Sequence, residues 1–507
     1  MKEIIKISFF ALAVCCLGSC TKNFEKYNTD PSKIYNMPPG AYLKAMVEPM
    51  MFMEPHDAQF VDNMVGAYGG YLVAINRWEG TNFDTFNPSD GWNNVPWDKM
   101  FVSTYSNFFR VEALSEGAGH WYAMAKLIRA AAMMRVADCY GPIPYSKVIE
   151  GNLYVEYDSA EDVYEHIMAD LQESASLLYN FASLNPSYRP FADSDPTSLN
   201  GDYTSWAKFA NSLTLRAAMR SGNQGAFMAA LSHPAGLLSE DVKRMPGGDG
   251  NPYYTNQDPW DDHRVSSSIV DYMNGYNDPR RPAYFQLVTQ QGFTTSYYGA
   301  RTGFAASNKA TGGGYSKMNV TTDDPIVLFR ASENHFLLAE AELKGWGVPN
   351  STRSYYEAGI TLSMTQCGVA PATITTYLAN STLFPDSHNN DWRAGNNYTR
   401  TSTVKIAWND SATDATKLEQ IITQKWIANF PLGLEAWADY RRTGFPELAP
   451  SVDDLSGGVV SPNRGARRLQ YPYTEKNLNA ANYTKAVNDF FGGEANDTQA
   501  SDLFWAN

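Results

Sequence analysis

Two stretches of the chain carry residue types suited to gripping a sugar. The first runs Asn76-Arg77-Trp78-Glu79-Gly80-Thr81-Asn82-Phe83-Asp84 and continues at Asp90-Gly91-Trp92-Asn93-Asn94. The second is Tyr297-Tyr298-Gly299-Ala300-Arg301, followed by Gly312-Gly313-Gly314-Tyr315. Sugars present flat C–H faces and many hydroxyls, so a site needs exposed rings for the faces and planar polar groups for paired hydroxyls. The aromatics of the first stretch lack helical spacing and stand among polar loop residues. Glycine in the second permits close backbone approach to a ligand. The candidate ligand contacts are therefore Arg77, Trp78, Phe83, Trp92, Asn93, Tyr297, Tyr298, Arg301 and Tyr315. The competing reading of each is a plug over the core. Trp97 opens a helix-like run through Tyr105 and is assigned to packing.

Catalytic signatures are missing from the sequence. There is no G-x-S-x-G, H-E-x-x-H or P-loop, and no G-x-G-x-x-G before a helix. Asp261-Asp262-His263-Arg264 invites a metal or acid–base reading, but it follows Pro259-Trp260 in a turn-rich region and reads as an ion-paired loop. No CxxC or Cys/His cluster exists, so neither a metal nor a cofactor is expected. The formal charge of −14 has the wrong sign for a nucleic-acid partner. With 54 acidic residues, a pair of carboxylates about 5–10 Å apart is available in principle. A secreted helical glycoside hydrolase is thus the rival reading, and a pure interaction solenoid the third.

The N-terminus points to export. Lys2 and Lys6 precede an apolar run from Ile7 to Leu17, too short to span a bilayer. Leu17-Gly18-Ser19-Cys20 resembles a bacterial lipobox, in which the signal (1–19) is cut before a cysteine that takes lipid on its thiol. No later run approaches 18 apolar residues, so Cys20 would anchor the chain without spanning the membrane. Cys139 and Cys367 remain, and their pairing stays open.

The elements that must position these loops are helical. In 119–138, Met124, Leu127, Ile128, Ala131 and Met134 share one face, and Tyr140-Gly141-Pro142-Ile143-Pro144 ends the run. Stripes recur at 158–179 and 204–220. Residues 333–344 pair with 352–364, and 415–430 with 433–441. Helix pairs joined by turns predict a mainly α chain of the tetratricopeptide-like solenoid type, without a strict 34-residue period. The scaffold lies mainly in 97–221, 328–368 and 415–441. The inserts 222–325, 370–412 and 445–507 are rich in turn residues and read as an ordered, loop-rich ligand-binding region.

Several strings, in chain order, resemble the SusD/RagB family of outer-membrane nutrient-binding lipoproteins. They are Asn23-Phe24-Glu25 with Asn28-Thr29-Asp30-Pro31; Arg129 to Tyr145, ending DCYGPIPY; Trp206 to Leu213 with Leu215-Arg216 and Met219-Arg220; Leu338-Ala339-Glu340-Ala341 with Tyr355 to Ile360; Ile422 to Trp426, Glu435-Ala436-Trp437 and Asp439 to Gly444; and Arg467-Arg468-Leu469 with Tyr471-Pro472 and Glu475 to Asn479. The resemblance implies one domain over 20–507, with four tetratricopeptide-like helix pairs carrying a loop-rich ligand-binding half. It implies a lipid-anchored protein on the outer face of the outer membrane. Its partners would be an oligosaccharide, or in some members a peptide, and a SusC-like TonB-dependent transporter that receives the cargo. The charged residues of these strings read as structural: Arg441 and Arg442, after Glu435 and Asp439, as a helix-end ion-pair network rather than an anion-capture site, and Glu340 as the partner of an arginine or a helix terminus rather than a catalytic acid.

Overall fold

The computed structural model describes residues 37–507 apart from Arg77, Leu153, Gln291, 305–308 and Asn390. The signal segment, Cys20 and the strings near Asn23 and Asn28 lie outside the described residues, as does Arg77.

Capping residues set the helices. α1 (Asp90–Ser115) starts at Ser89, whose hydroxyl accepts from the Trp92 amide at 3.3 Å. It therefore begins two turns before the expected start at 97, and Pro96 is accommodated inside it. α2 (Gly119–Tyr140) is buried along almost its whole length and stops at Gly141 with φ 89°. α3 (Ala160–Leu184) and α4 (Tyr203–Ser221) are capped by Ser159 and Asp202. A shorter helix, α5 (Ser267–Gly275), lies in the central insert. α6 (Ser332–Leu343) is followed by α7 (Thr352–Gln366), and α8 (Asp414–Ala428) by α9 (Gly433–Thr443).

Among the described residues three helix pairs pack along each other, α1/α2, α3/α4 and α6/α7; α8 packs on α6 and α7, and α9, expected as its partner, does not lie along it. α2 packs on α3, and α6 packs on both α4 and α8, so the pairs stack as a tetratricopeptide-like solenoid. α9 instead crosses the segment 59–69 with the backbones touching. A Cβ on Gly433 would lie 2.4 Å from the Gly66 carbonyl oxygen, and one on Gly69 would lie 2.4 Å from that of Gly433. Only glycine fits this crossing.

A buried charge network joins the helices. Arg220 of α4 pairs with Asp138 of α2 and, at 2.5 Å, with Glu435 of α9. Arg216 meets Glu333 at 2.7 Å and Glu435 at 3.0 Å. Lys425 pairs with Asp439 at 2.8 Å, and Arg442 reaches Glu340 at 2.8 Å and Asp439 at 3.2 Å. Arg442 and Glu340 thus take the structural roles expected of them. Burial opposes the charge on Glu435, but Arg216 and Arg220 outweigh it and hold its carboxyl down at about 2. Lys425 and Arg442 similarly hold Asp439 at about 2 against burial. Arg441, expected in the same network, finds no carboxylate partner among the described residues. Its guanidinium lies 3.5 Å from the Trp437 ring centre and donates to the carbonyls of Asp138 and Arg467.

The inserts are ordered around this frame. β1 (Leu72–Ala74) pairs antiparallel with β3 (His263–Val265), with Val73 opposite Arg264. β2 (Val242–Arg244) pairs with β6 (Ile326–Phe329), and β4 (Val288–Thr289) with β5 (Thr295–Ser296). The β1–β3 ribbon is widened by Ser266 bridging Ala300 and by the Val265 amide donating to the Ser316 carbonyl. Val73, Ile75, Ala300, Phe304 and Tyr315 form a small apolar cluster on it, separate from the main core. Cys139 and Cys367 are free thiols. Burial pushes the Cys139 thiol up to about 12, which makes it unreactive.

Candidate ligand-binding site

The β1–β3 ribbon is the platform from which the candidate loops rise. After β1 the chain turns back on itself: the Ala74 amide donates to Asp84 at 2.8 Å, and Asn82 donates to the Asn76 carbonyl at 3.2 Å. Within this loop Trp78 has φ 38°, a left-handed conformation that is costly for a bulky residue. Its amide is held by the Asn76 side chain at 3.1 Å. Asn76 in turn donates to Asp262 at 3.0 Å, where Gln59 donates at 2.8 Å and Lys309 pairs at 2.6 Å. Arg264 pairs with Asp261 at 2.5 Å. The Asp261–Arg264 string is thus an ion-paired support, as the sequence suggested, but His263 and Arg264 lie in strand β3 and not in a loop.

The support orients an aromatic group. Trp78 stands perpendicular to Trp92, ring centres 5.3 Å apart, and Trp92 contacts Phe60 at 5.3 Å. Both tryptophans are partly exposed. His263 lies 6.3 Å behind Trp78; burial pulls it down to about 4, so the ring backing Trp78 is neutral. Trp260 contacts the exposed His56 with ring centres 4.5 Å apart and the planes tilted, and its carbonyl accepts from Lys309 at 2.7 Å.

The second stretch supplies another wall. Tyr298 is partly exposed over the small apolar cluster, donates to the Thr294 carbonyl at 2.7 Å, and faces the exposed Phe293 at 6.2 Å. Tyr297 packs instead on the main core, against Phe285 and the Arg281 guanidinium. The sequence reading missed Trp392, which is 36% exposed, with the Arg393 guanidinium 4.7 Å from its ring centre. Its context, Asp391-Trp392-Arg393, carries the same mix of ring and polar groups that marked the first stretch and was open to the same argument. Gly314 lets Trp392 approach: a Cβ there would be 3.4 Å from its indole nitrogen and from Gln290. Gly312 is filled from below by Ile75. The close approach anticipated for this glycine run is at these two positions an approach of protein to protein.

Four expected contacts are placed in the interior, and this corrects their assignment. Phe83 is fully buried against Tyr68. Asn93 is spent on structure: its amide donates to the Gln470 carbonyl at 2.7 Å, and its own carbonyl accepts from Tyr140. Arg301 is buried, donating to the carbonyls of Asn396 at 2.5 Å and Pro450 at 2.7 Å. Tyr315 is buried, with its hydroxyl 2.9 Å from Asp391. Asn93, Arg301 and Tyr315 are tied to segments distant in sequence that local spacing does not report. Trp97 is buried among Phe101, Tyr140, Tyr157 and Tyr471, the packing role expected of it.

Comparison with known proteins places this geometry. The sequence matches the family described as "SusD-like: Susd and RagB outer membrane lipoprotein" over residues 21–506. The chain belongs to the SusD/RagB family. Solved SusD-like structures superpose on it closely. A SusD-like protein from Bacteroides thetaiotaomicron is 34% identical, with a TM-score of 0.87, over 92% of this chain and 99% of that one. A SusD homologue from Bacteroides ovatus is 34% identical, with a TM-score of 0.84, over 92% and 98%. A chitin-binding SusD homologue from Flavobacterium johnsoniae is 31% identical, with a TM-score of 0.86, over 92% and 98%. No curated protein matches. As in a SusD-like lipoprotein, no helix among the described residues is long and apolar enough to cross a membrane.

One further cleft, about 570 Å³, contains two carboxylates, Glu419 and Glu447. Both oxygens of Glu447 are filled by donors: Tyr398 at 2.6 Å and the Thr401 and Ser402 amides at 3.0 and 2.6 Å. This carboxylate is a loop anchor with no oxygen left for acid–base work.

Proposed function

We propose that this SusD-like protein captures an oligosaccharide at the cell surface by ring stacking and delivers it unaltered to a SusC-like TonB-dependent transporter. Cys20 would carry the lipid that tethers it to the outer membrane, facing outward. The observation that carries the reading is a set of partly exposed rings beside polar residues, Trp78, Trp92, Tyr298 and Trp392, the first three packed on the margins of the two apolar clusters. Rings of this kind suit the C–H faces of pyranose units. The chitin-binding relative makes oligomers of N-acetylglucosamine the first ligand to try, with other glycans and peptides as comparators.

The test is titration calorimetry of the purified chain against a panel of oligosaccharides and peptides, with product analysis after prolonged incubation. Saturable glycan binding with the sugar recovered intact is expected. Trp78→Ala and Trp392→Ala should each weaken it by roughly 2–13-fold, the ~0.5–1.5 kcal/mol that one ring contributes to stacking. Binding of peptides alone, or release of shorter sugars, would overturn the proposal. Co-purification with the transporter from membranes tests the delivery step.

A further inference from the structure

We propose that His388 is a positioning residue of the ligand-binding face: as an imidazolium it fastens the segment carrying Trp392 to the helical scaffold. The functional importance of this fastening rests on the reading of Trp392 as a ligand platform; the fastening itself is a matter of geometry.

His388 is 6% exposed and lies between two carboxylates. Its Nδ1 is 3.2 Å from both oxygens of Asp271, and its Nε2 is 3.1 Å from Asp391. A neutral imidazole can donate from only one nitrogen, whereas an acceptor on both sides requires both ring nitrogens to carry hydrogen. The two acids belong to different parts of the fold. Asp271 sits in α5, among the buried Ile269, Val270 and Tyr272 of the main core. Asp391 immediately precedes Trp392 and gathers its own segment, accepting from Tyr315, from the Asn396 side chain at 3.1 Å and from the Arg393 amide at 2.8 Å. The imidazolium therefore joins core to loop, and a backbone bridge from His388 to Tyr398 closes the segment behind it.

The surrounding charges leave His388 as the cation this pair requires. Arg301 feels both acids but spends its donors on the Asn396 and Pro450 carbonyls. Asp386 lies near Asp271; burial and that neighbour raise its carboxyl, against the pull of Arg281 and Arg400. Arg393 acts on Tyr315 and lies over the Trp392 and Phe304 rings. Burial pulls His388 down, but the two carboxylates win and raise it from 6.5 to about 9. A group raised on folding contributes fully below its unfolded value and is lost as pH rises through its folded value. The closed segment is thus at full strength below pH 6.5 and weakens about tenfold per pH unit up to about 9, roughly 300-fold in all.

Hydrogen exchange of the full chain, corrected for intrinsic rates and followed by mass spectrometry from pH 6 to 9.5, tests this without any sugar. Protection of peptides spanning 384–399 should fall with pH in the wild type. In His388→Gln it should be at least tenfold lower at pH 6.5 and insensitive to pH, while α4 peptides stay unchanged in both. In protein labelled on its seven histidines, one resonance, absent from the variant, should titrate near 9. Equal protection in both proteins, or a flat wild-type profile, overturns the proposal. Should the variant fail to fold, the wild-type pH series decides alone. Failure here leaves the glycan reading intact, and an absence of sugar binding leaves the fastening intact, so the two are separable.

Discussion

Replacing Arg220 by methionine probes the frame that holds the loop face. The guanidinium bridges Asp138 and Glu435 at the junction of α2, α4 and α9, and is itself buried. Methionine fills much of the space but leaves Asp138 without its arginine, and Glu435 with Arg216 alone at 3.0 Å. Removing one partner of a buried pair costs about 3–5 kcal/mol. For 507 residues the unfolding entropy is about 1 kcal/mol/K, so Tm at pH 7 should fall by about 3–5 °C. The acid limb gives a second reading. Glu435 moves from 4.5 down to about 2 on folding, a contribution of a few kcal/mol that is fully present above pH 4.5 and is lost as pH falls towards about 2. Without Arg220 its carboxyl should rise back towards 4.5, so the gap in Tm between variant and wild type should narrow on going from pH 7 to pH 3. Calorimetric scans at the two pH values measure both effects. A variant within 1 °C of wild type at pH 7, or a gap unchanged at pH 3, would refute the reasoning.

Phe83→Ala should cost about 3–5 kcal/mol of stability, measured by urea denaturation, because its ring is fully buried; glycan affinity of the folded fraction should change far less than in Trp78→Ala. Gly433→Ala should lower Tm by several degrees, since its Cβ would lie 2.4 Å from the Gly66 carbonyl oxygen in a backbone crossing that cannot yield cheaply. Cys20→Ala should move the protein from the membrane to the soluble fraction on cell fractionation, with loss of metabolically incorporated fatty acid.

Much of the scaffold was legible because helices announce themselves locally. The apolar stripe at 158–179, its Ser159 cap and the Gly141 stop at the end of the preceding helix are neighbours in sequence, and α2 and α3 follow them within a few residues. α1 starts about two turns before the run expected from Trp97, because Ser89 caps it and Pro96 is accommodated inside it. The charged strings were legible in kind: Glu340 was expected to meet an arginine or a helix terminus and meets Arg442. Which arginine, and why Arg441 meets none, required the packing of α9 against α6 and α2.

The order of motifs, the helical periodicity and the N-terminal signal pattern are written along the chain, and together they determined the family and the fold class. Which rings of the candidate loops face outward was decided only in three dimensions. Trp78 and Phe83 belong to one polar string, yet Phe83 disappears beneath Tyr68 while Trp78 stays partly exposed against Trp92. Arg301 and Tyr315 are taken inward by Asn396, Pro450 and Asp391, partners 76 to 149 positions away. Periodicity is a property of neighbours a few residues apart, whereas the burial of a loop side chain depends on whichever remote segment packs over it, and nothing in a local pattern encodes that segment.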